Sequence, residues 1–528
     1  KYGGGIFLLI YIILALTFGY SMIVAETSLG RMTGKSPVGA FHTFGKSKWL
    51  SFGGWINAII PILIVPYYSV IGGWVIKYLV EYAKGHGHDL AADGYFSTFI
   101  SNGVSTELCF IVFTLCTLGI IYAGVRNGIE RVSRIMMPIL VVLSVVITVY
   151  SVTRPGALSG VKYFLIPNPA NFSWMTVVAA MGQMFYSLSI AMGILITFGS
   201  YMKKDVSIEE STENVEVFDT AIAIMAGLMI IPAVFAFSGG DPDTLQAGPS
   251  LMFITLPKVF DSMGMGTFVG IMFFVLVLFA AMTSSIALTE SAVSTFEDEL
   301  GWGRKKSTVI MGVIMLALGT LSSLGYGPLG AVKIIGMQFL DFFDFLTNSV
   351  MMPIAAIAIC LLVSRVVGVG RIEQEVLLGC GRRSHARRSL FPPQKGIQLH
   401  DQVSLPGICC DYFIKLCGKC IWTYFYVRCQ GHKQEPHAVL AQTWGSCFMT
   451  RSDIRIKGKR QLHDMRIPGR IVRVRSTEQS VRHLTSYYML MIRPVSAFTL
   501  CEIEITVLPS EARFSACNTS SSVWASRF

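Results

Sequence analysis

Long apolar segments constrain this chain more than any other feature. A helix needs about 20 apolar residues to cross the roughly 30 Å hydrocarbon core of a bilayer. Nine segments approach or exceed that length, at 5–31, 50–82, 107–123, 135–152, 174–200, 218–237, 266–295, 308–324 and 332–367. Their apolar residues are contiguous and do not alternate, which disfavours a membrane barrel. With 52% hydrophobic and 14% charged residues, the sequence predicts an all-α polytopic membrane protein.

Basic residues predict how the segments are oriented. They cluster in alternate connections, as Arg31, Lys35, Lys46 and Lys48, then Arg126, Arg131 and Arg134, then Lys203 and Lys204, then Arg304, Lys305 and Lys306, then Arg365 and Arg371. The opposite connections, at 81–106, 155–171 and 239–262, are poor in Lys and Arg. Because cytoplasmic loops carry the excess of basic residues, we expect the basic connections inside and Lys1 outside a plasma (inner) membrane.

The two ends of the chain differ in composition. Residues 1–379 carry 21 Lys plus Arg against 23 Asp plus Glu, whereas the rest carries 22 against 9 and nine of the twelve cysteines. The sequence therefore predicts a membrane domain at 1–378 and a Cys- and Arg-rich tail at 379–528 that is not a native folded domain. The chain begins without Met, and an odd number of spans starting outside predicts a missing upstream helix.

Residues 182–193, GQMFYSLSIAMG, place polar side chains and two glycines inside one of the apolar segments. Backbone groups freed from helical pairing find no water in lipid, so irregular chain at membrane depth occurs only where it lines a cavity or binds something. The sequence predicts a helix break at 182–193 and a binding site beside it.

Several motifs occur in a specific order across residues 1–378. They are KYGGGIFLLIYII at the start, IVPYYSVIGGW at 64–74, RNGIERVSRIMMPIL at 126–140, the segment at 182–193, FITLPKVF at 253–260, AAMTSSIAL at 280–288, FEDEL at 296–300 and LDFFDF at 340–345. In this order the chain resembles the neurotransmitter:sodium symporters, particularly their bacterial amino-acid transporting branch. The resemblance implies an inverted-repeat, leucine-transporter-like helical bundle, here lacking its first helix, with ions and substrate bound at broken helices.

The resemblance also implies two sodium sites. One uses the Ala280 carbonyl and the hydroxyls of Thr283 and Ser284, although Ser and Thr in a span also commonly hydrogen-bond neighbouring helices. The other uses Ser187 and an acid on the following helix, for which Asp219 is the candidate. An acid there would supply the charge that animal relatives take from chloride, so we expect chloride independence. Asp219 could instead be a solvated residue at a helix end.

The same resemblance implies a substrate site. The Tyr68 hydroxyl would bind the substrate carboxylate, although an interfacial or packing tyrosine is the alternative. The apolar lining would come from Ile64, Tyr186, Met192 and Leu288. The polar contacts would come from Ser187, Ser189 and Ser284. A flexible methionine adapts to differently shaped apolar groups, so we predict neutral, hydrophobic amino acids as substrates.

Asp344 resembles the acidic half of an outer gate whose arginine partner is not in this chain. We therefore expect Asp344 to face the vestibule unpaired, or to be an ordinary solvated acid. The acids Glu297, Asp298 and Glu299 are expected at a solvated cytoplasmic helix end. We predict no metal at His86 and His88.

The tail suggests three interpretations. The spacing of Cys417, Cys420, Cys429 and His432 is similar to a zinc knuckle, but aromatic residues fill the intervening loop and a Cys-rich segment yields such spacings easily, so we predict no zinc. Its arginines form no patch typical of nucleic-acid binding. We expect that the reading frame is lost near 378–382, in which case a shifted frame would encode an apolar helix.

Together these features predict sodium-coupled symport of amino acids by alternating access in a bilayer. Sodium ions would be the only cofactors, no organic cofactor or nucleic acid would bind, and no enzymatic chemistry is predicted. Two alternatives are a sodium-independent transporter or channel of the same fold, and a non-functional truncated product.

Overall fold

The computed structural model describes residues 3–239 and 248–378, together with the backbone of five short strands in the tail. Between residues 3 and 378 the described chain forms helices joined by short turns. We number them α1 Gly5–Thr33, α2 Pro37–Phe44, α3 Lys48–Ala83, α4 Gly87–Ala91, α5 Tyr95–Ser101, α6 Gly103–Tyr122, α7 Gly128–Val152, α8 Ala157–Leu165, α9 Trp174–Ser187, α10 Ile194–Ser200, α11 Ile208–Ser238, α12 Leu256–Asp261, α13 Gly266–Leu300, α14 Arg304–Leu324, α15 Phe339–Val367 and α16 Val369–Leu378.

Eight of these helices are long and apolar enough to cross a membrane, namely α1, α3, α6, α7, α11, α13, α14 and α15. They account for eight of the nine predicted segments. The ninth segment, 174–200, contains α9 and α10 with an interruption between them. The prediction of an all-α polytopic membrane protein is therefore confirmed for the described residues before the tail.

Five of the spanning helices, α6, α7, α11, α14 and α15, begin four or more residues from their predicted positions. For α11 and α15 local features mark the start. Helix α11 starts at Ile208, before the apolar segment, because the Ser207 side chain accepts a hydrogen bond from the Glu210 amide at 3.2 Å and caps the helix. Helix α15 starts only at Phe339. A tight bridge between Ile334 and Met337 precedes it and ends the extended connection there.

Aromatic packing fixes helix α3 against α13 and the segment before α12. The Tyr78 ring lies 5.0 Å from that of Phe253 and 5.3 Å from that of Phe274, centroid to centroid. The Tyr78 hydroxyl also donates to the Phe253 carbonyl at 2.8 Å. Trp74 contacts Phe253 edge to face at 5.8 Å. Such pairs add to the burial energy of the rings, so this end of α3 is held firmly.

Glycines bring helix α1 into backbone contact with α10. A Cβ on Gly30 would lie 2.0 Å from the Ile196 carbonyl oxygen, and one on Gly199 would lie 2.5 Å from the Thr27 carbonyl oxygen. Small residues allow membrane helices to approach closely where lipid supplies no hydrophobic driving force. The segment that follows the break therefore packs directly on α1.

The tail contains a second compact unit, Gly418–Phe528. Its described residues are five strands, β1 Ile454–Ile456, β2 Leu462–Ile467, β3 Arg470–Arg475, β4 Ile503–Val507 and β5 Ala512–Ala516. They pair antiparallel in chain order, and Asp464 faces Arg473 between β2 and β3. The domain boundary at 378 and the expectation of a non-native tail stay predictions. The zinc-like residues Cys417, Cys420, Cys429 and His432 and the frame-loss segment 379–382 lie outside the described residues.

Candidate functional site

The break between α9 and α10 is a strongly bent loop. Within it, Ser189, Ala191 and Gly193 all have left-handed backbone angles, with φ of 57°, 58° and 70°. This conformation costs a residue other than glycine roughly 1–2 kcal/mol. A loop that repeats it at alternate positions therefore needs support from its surroundings.

Support comes from a buried acid on α1. The Ala191 amide donates to Glu26 Oε1 at 2.8 Å, and Glu26 has no solvent exposure. Three further amides of the loop are satisfied locally. Leu188 donates to the Met184 carbonyl and Ile190 to the Phe185 carbonyl, both at 3.0 Å, and Ser189 donates to the Tyr186 carbonyl at 3.4 Å. Paired in this way, the loop can persist at membrane depth.

The break is shorter than predicted. The expected range began at Gly182, but α9 continues through Gly182 to Ser187, so only the last six residues of the range leave the helix. Gly182 has no atom within 4 Å of a potential Cβ and no left-handed angle, so nothing there forces unwinding. Gln183 and Tyr186 lie on an exposed face of the intact helix.

Asp219 and Ser187 meet where three helices converge. The Ser187 hydroxyl donates to Asp219 Oδ2 at 2.7 Å, and the Tyr11 hydroxyl donates to the same oxygen at 3.3 Å. Asp219 is thus not a solvated residue at a helix end, because α11 begins eleven residues earlier. The two predicted ligands of one sodium site lie together, and their role in binding sodium stays a prediction.

The second predicted sodium site lies on α13. The Thr283 hydroxyl donates to the carbonyl of Ala280 at 3.0 Å and to that of Phe279 at 3.1 Å. A hydroxyl that donates its proton keeps lone pairs for a cation. Ser284 is exposed and lies near the Tyr68 side chain on α3. The predicted carboxylate-binding tyrosine is therefore close to this site.

The predicted substrate residues divide into buried and accessible groups. Ile64, Met192 and Leu288 are 0%, 3% and 4% exposed, so all three predicted lining residues are buried. Tyr186 is 37% exposed and lies within electrostatic range of Tyr68. Ser189 is half-buried inside the break itself. The predicted set thus combines accessible polar groups with buried apolar side chains, a composition typical of small-molecule sites.

Asp344 accepts hydrogen bonds from neutral side chains, and its role as a gate acid that lacks an arginine partner stays a prediction. Asn348 donates to Asp344 Oδ1 at 2.6 Å, and the Tyr67 hydroxyl donates to the same atom at 3.4 Å. The Thr347 hydroxyl lies 3.3 Å from that of Tyr67. A carboxylate keeps further acceptor capacity with such partners, so Asp344 could still receive a donor from elsewhere.

The acids at the end of α13 are exposed or partly exposed, in agreement with a solvated helix end, and each also has a partner. Asp298 accepts the Ser36 amide, Glu297 lies 3.6 Å from Arg304 Nη1, and Glu299 lies 3.6 Å from His42. About two turns further into the helix, the fully buried Glu290 accepts from the Tyr201 hydroxyl at 2.7 Å and from Arg304 Nη1 at 2.8 Å.

Sequence analysis missed Glu26, Tyr11 and Glu290. The signal for both acids was present, because an ionisable residue inside an apolar span is costly and usually functional. No comparable signal marked Tyr11, whose importance depends on a contact with Asp219 across 208 positions.

The histidines predicted to hold no metal have carboxylate neighbours. His86 Nδ1 lies 2.8 Å from Glu81 Oε2, and His88 Nδ1 lies 3.0 Å from Asp261 Oδ2. Among the described residues there is no group of three or more His, Cys, Asp or Glu side chains placed to hold a metal ion. Sodium prefers hydroxyl and carbonyl oxygens, so this observation does not concern the sites above.

Comparison with known proteins identifies the family. A sequence profile of the Sodium:neurotransmitter symporter family matches residues 97–388. An uncharacterized sodium-dependent transporter of Bacillus subtilis, YhdH, is 34% identical over 393 residues, covering 74% of this chain and 85% of the relative. A Haemophilus influenzae sodium-dependent transporter is 30% identical over 381 residues, covering 69% and 82%.

The crystal structure of MhsT in complex with L-phenylalanine is similar, with a TM-score of 0.69 and 33% identity over 79% of this chain and 91% of that one. This similarity confirms the leucine-transporter-like fold. Family and relatives support sodium-dependent transport through a multi-pass membrane protein, with a small molecule as the substrate. The chain therefore belongs to the sodium:neurotransmitter symporter family, a family of transporters and not of enzymes.

Proposed function

We propose that this protein moves neutral, hydrophobic amino acids across the plasma (inner) membrane in symport with sodium. The observation that carries the proposal is the irregular loop between α9 and α10. Its Ala191 amide is bound by Glu26, and the Ser187 hydroxyl at the end of α9 donates to Asp219 on α11. Irregular backbone at membrane depth supplies carbonyls and amides for ions and substrate. Rocking of the helices around the break would expose the site to each side in turn.

The buried apolar residues predicted to line the site support a hydrophobic substrate. Ile64, Met192 and Leu288 are buried and carry no charge, so a charged substrate side chain would meet no counter-ion among them. The similar protein MhsT was solved with L-phenylalanine, which is a neutral, apolar amino acid. L-Phenylalanine is accordingly the first substrate to test.

Two groups of oxygen atoms support sodium coupling. Ala280 and Thr283 offer a carbonyl and a hydroxyl 3.0 Å apart, and Ser284 is accessible beside them. Ser187 and Asp219 offer a second hydroxyl and a carboxylate. The carboxylate supplies a fixed negative charge, and for this reason chloride would not be needed.

The test is uptake of radiolabelled L-phenylalanine into proteoliposomes, with an inward sodium gradient or with potassium in its place. We expect uptake only with sodium. Replacing the Thr283 and Ser284 hydroxyls together (T283A/S284A) should raise the sodium concentration for half-maximal uptake about tenfold or more, because each hydroxyl contributes a hydrogen-bond-scale interaction with a cation.

A matched control is Ser323→Ala on α14, which removes a buried serine hydroxyl away from the break. It should leave the sodium dependence unchanged. Equal uptake in sodium and potassium would identify a sodium-independent transporter or channel instead. Absence of uptake in both would support the non-functional product.

A further inference from the structure

We propose that Arg31 and Glu375 form a latch that holds the broken helix closed at the end predicted to be cytoplasmic. The inference rests on the proposed function, because only alternating access requires that end to open. In this role Arg31 is a positioning residue, since it acts on the loop after α10 and not on the cargo.

The latch joins three separate parts of the chain. Arg31 Nε donates to Glu375 Oε1 at 2.7 Å, and Nη2 donates to the Glu375 carbonyl. Arg31 Nη1 donates to the Val206 carbonyl at 2.6 Å. The last turn of α1 therefore contacts both helix α16 and the connection between α10 and α11.

Burial distinguishes this contact from a surface ion pair. The Arg31 side chain is 0% exposed and that of Glu375 is 8% exposed. By contrast, the side chains of the pair Arg134 and Glu130 are 77% and 54% exposed. A buried arginine that loses its partners leaves an uncompensated charge, whereas an exposed pair contributes little. Breaking the buried contact is therefore costly, and we infer that its made and broken forms are two distinct states.

The position of the latch links it to the break. Arg31 follows Gly30, whose close contact with Ile196 packs α1 on α10. Val206 lies six residues beyond the end of α10 at Ser200. Gly30 therefore contacts α10 itself, and Arg31 binds the connection that follows α10, at Val206.

Helix α16 adds a connection to the gate region. It follows α15, which carries Asp344 near its other end. Release of Glu375 from Arg31 would free α16 and the 201–207 connection at the same moment. A two-state contact of this kind can couple the opening of the inner end to movement of α15.

The test uses hydrogen exchange with mass spectrometry on the purified full chain, without sodium or substrate. In Arg31→Met we expect peptides covering 201–207 and 369–378 to exchange at least tenfold faster than in the parent chain, with peptides from α6 and α7 unchanged. Glu375→Gln should affect the same two peptides. Arg134→Met, which breaks the exposed pair, should change neither.

A second variant and a second readout keep the test independent of folding defects. Arg31→Lys retains a charge for Glu375 but replaces the planar guanidinium fork, whose separate nitrogens bind Glu375 and Val206, by a single nitrogen, so the 201–207 peptide should exchange faster than the 369–378 peptide. Ser200→Cys, read by site-resolved mass spectrometry, should react with a maleimide at least tenfold faster when combined with Arg31→Met.

Unchanged exchange in Arg31→Met, or an equal increase in every helix, would overturn the latch. The same holds if Arg31→Lys protects both peptides as the parent chain does. None of these measurements requires transport. A parent chain without sodium-dependent uptake would therefore refute the proposed function while leaving the exchange result to decide the contact.

Discussion

At the scale of single residues, the acids inside the membrane spans define the functional region. Glu26 holds the break through the Ala191 amide, Asp219 accepts two hydroxyls, and Glu290 accepts a tyrosine and an arginine. Each would be costly in lipid without such partners. Their side chains consequently mark the positions where the helices enclose polar groups.

Removing the charge of Asp219 should impair sodium binding and not folding. In Asp219→Asn the amide oxygen can still accept from Ser187, but a full negative charge near the cation is lost. We expect the sodium concentration for half-maximal uptake to rise about tenfold or more. Uptake by the parent chain should be unchanged when gluconate replaces chloride.

The control for this substitution is Glu107→Gln. Glu107 is another acid in a span, and it accepts from the Thr320 hydroxyl at 2.6 Å on α14. Its replacement should leave the sodium response within about twofold of the parent chain. Loss of parent-chain uptake in gluconate would show that Asp219 does not replace chloride.

At the scale of elements, the break between α9 and α10 starts later in the chain than the sequence suggests. Polar residues in 182–193 indicated a break, but polarity alone did not fix its start. Backbone angles did so, because the left-handed residues begin only at Ser189. Composition locates an interruption, whereas its extent depends on which amides the neighbouring helices can satisfy.

Two glycine substitutions should show where helix α9 ends and the break begins. In Gly193→Ala a Cβ would lie 2.7 Å from Pro37 Cγ and 2.9 Å from the Asn57 carbonyl oxygen, at a left-handed φ of 70°. We expect a loss of about 2 kcal/mol or more in stability, combining clash and backbone strain. Thermal unfolding in detergent micelles measures it.

Gly182→Ala is the matched control, because that position is helical and open. Alanine favours a helix by roughly 0.5–1 kcal/mol over glycine, so this variant should be as stable as the parent chain or slightly more so. A large destabilisation by Gly182→Ala would mean that the break begins there, as first expected.

At the scale of the whole molecule, the described residues before the tail contain eight continuous spans and one broken span. The basic connections, including Lys203 and Arg304, and the acids of the α13 terminus lie beyond one set of helix ends. The positive-inside rule assigns that side to the cytoplasm. The latch at Arg31 belongs to the same side.

Cysteine labelling in intact cells tests this orientation. His88, whose side chain is 88% exposed, lies in the connection predicted to be outside, and Lys203 is exposed in one predicted to be inside. A membrane-impermeant maleimide should label His88→Cys in intact cells and Lys203→Cys only after permeabilisation. The parent chain gives the background from native cysteines. The reverse pattern would contradict the orientation.

The sequence by itself determined the membrane class, the family and the neighbourhood of the break. These properties follow from continuous apolar segments and local sequence motifs. The thickness of the bilayer sets the length that each apolar segment must have. Only the tertiary structure decided which groups satisfy the buried acids and where the helix unwinds. It also decided that Arg31 meets Glu375 across 344 positions. Such contacts depend on how distant helices pack, and no local pattern in the chain records that packing.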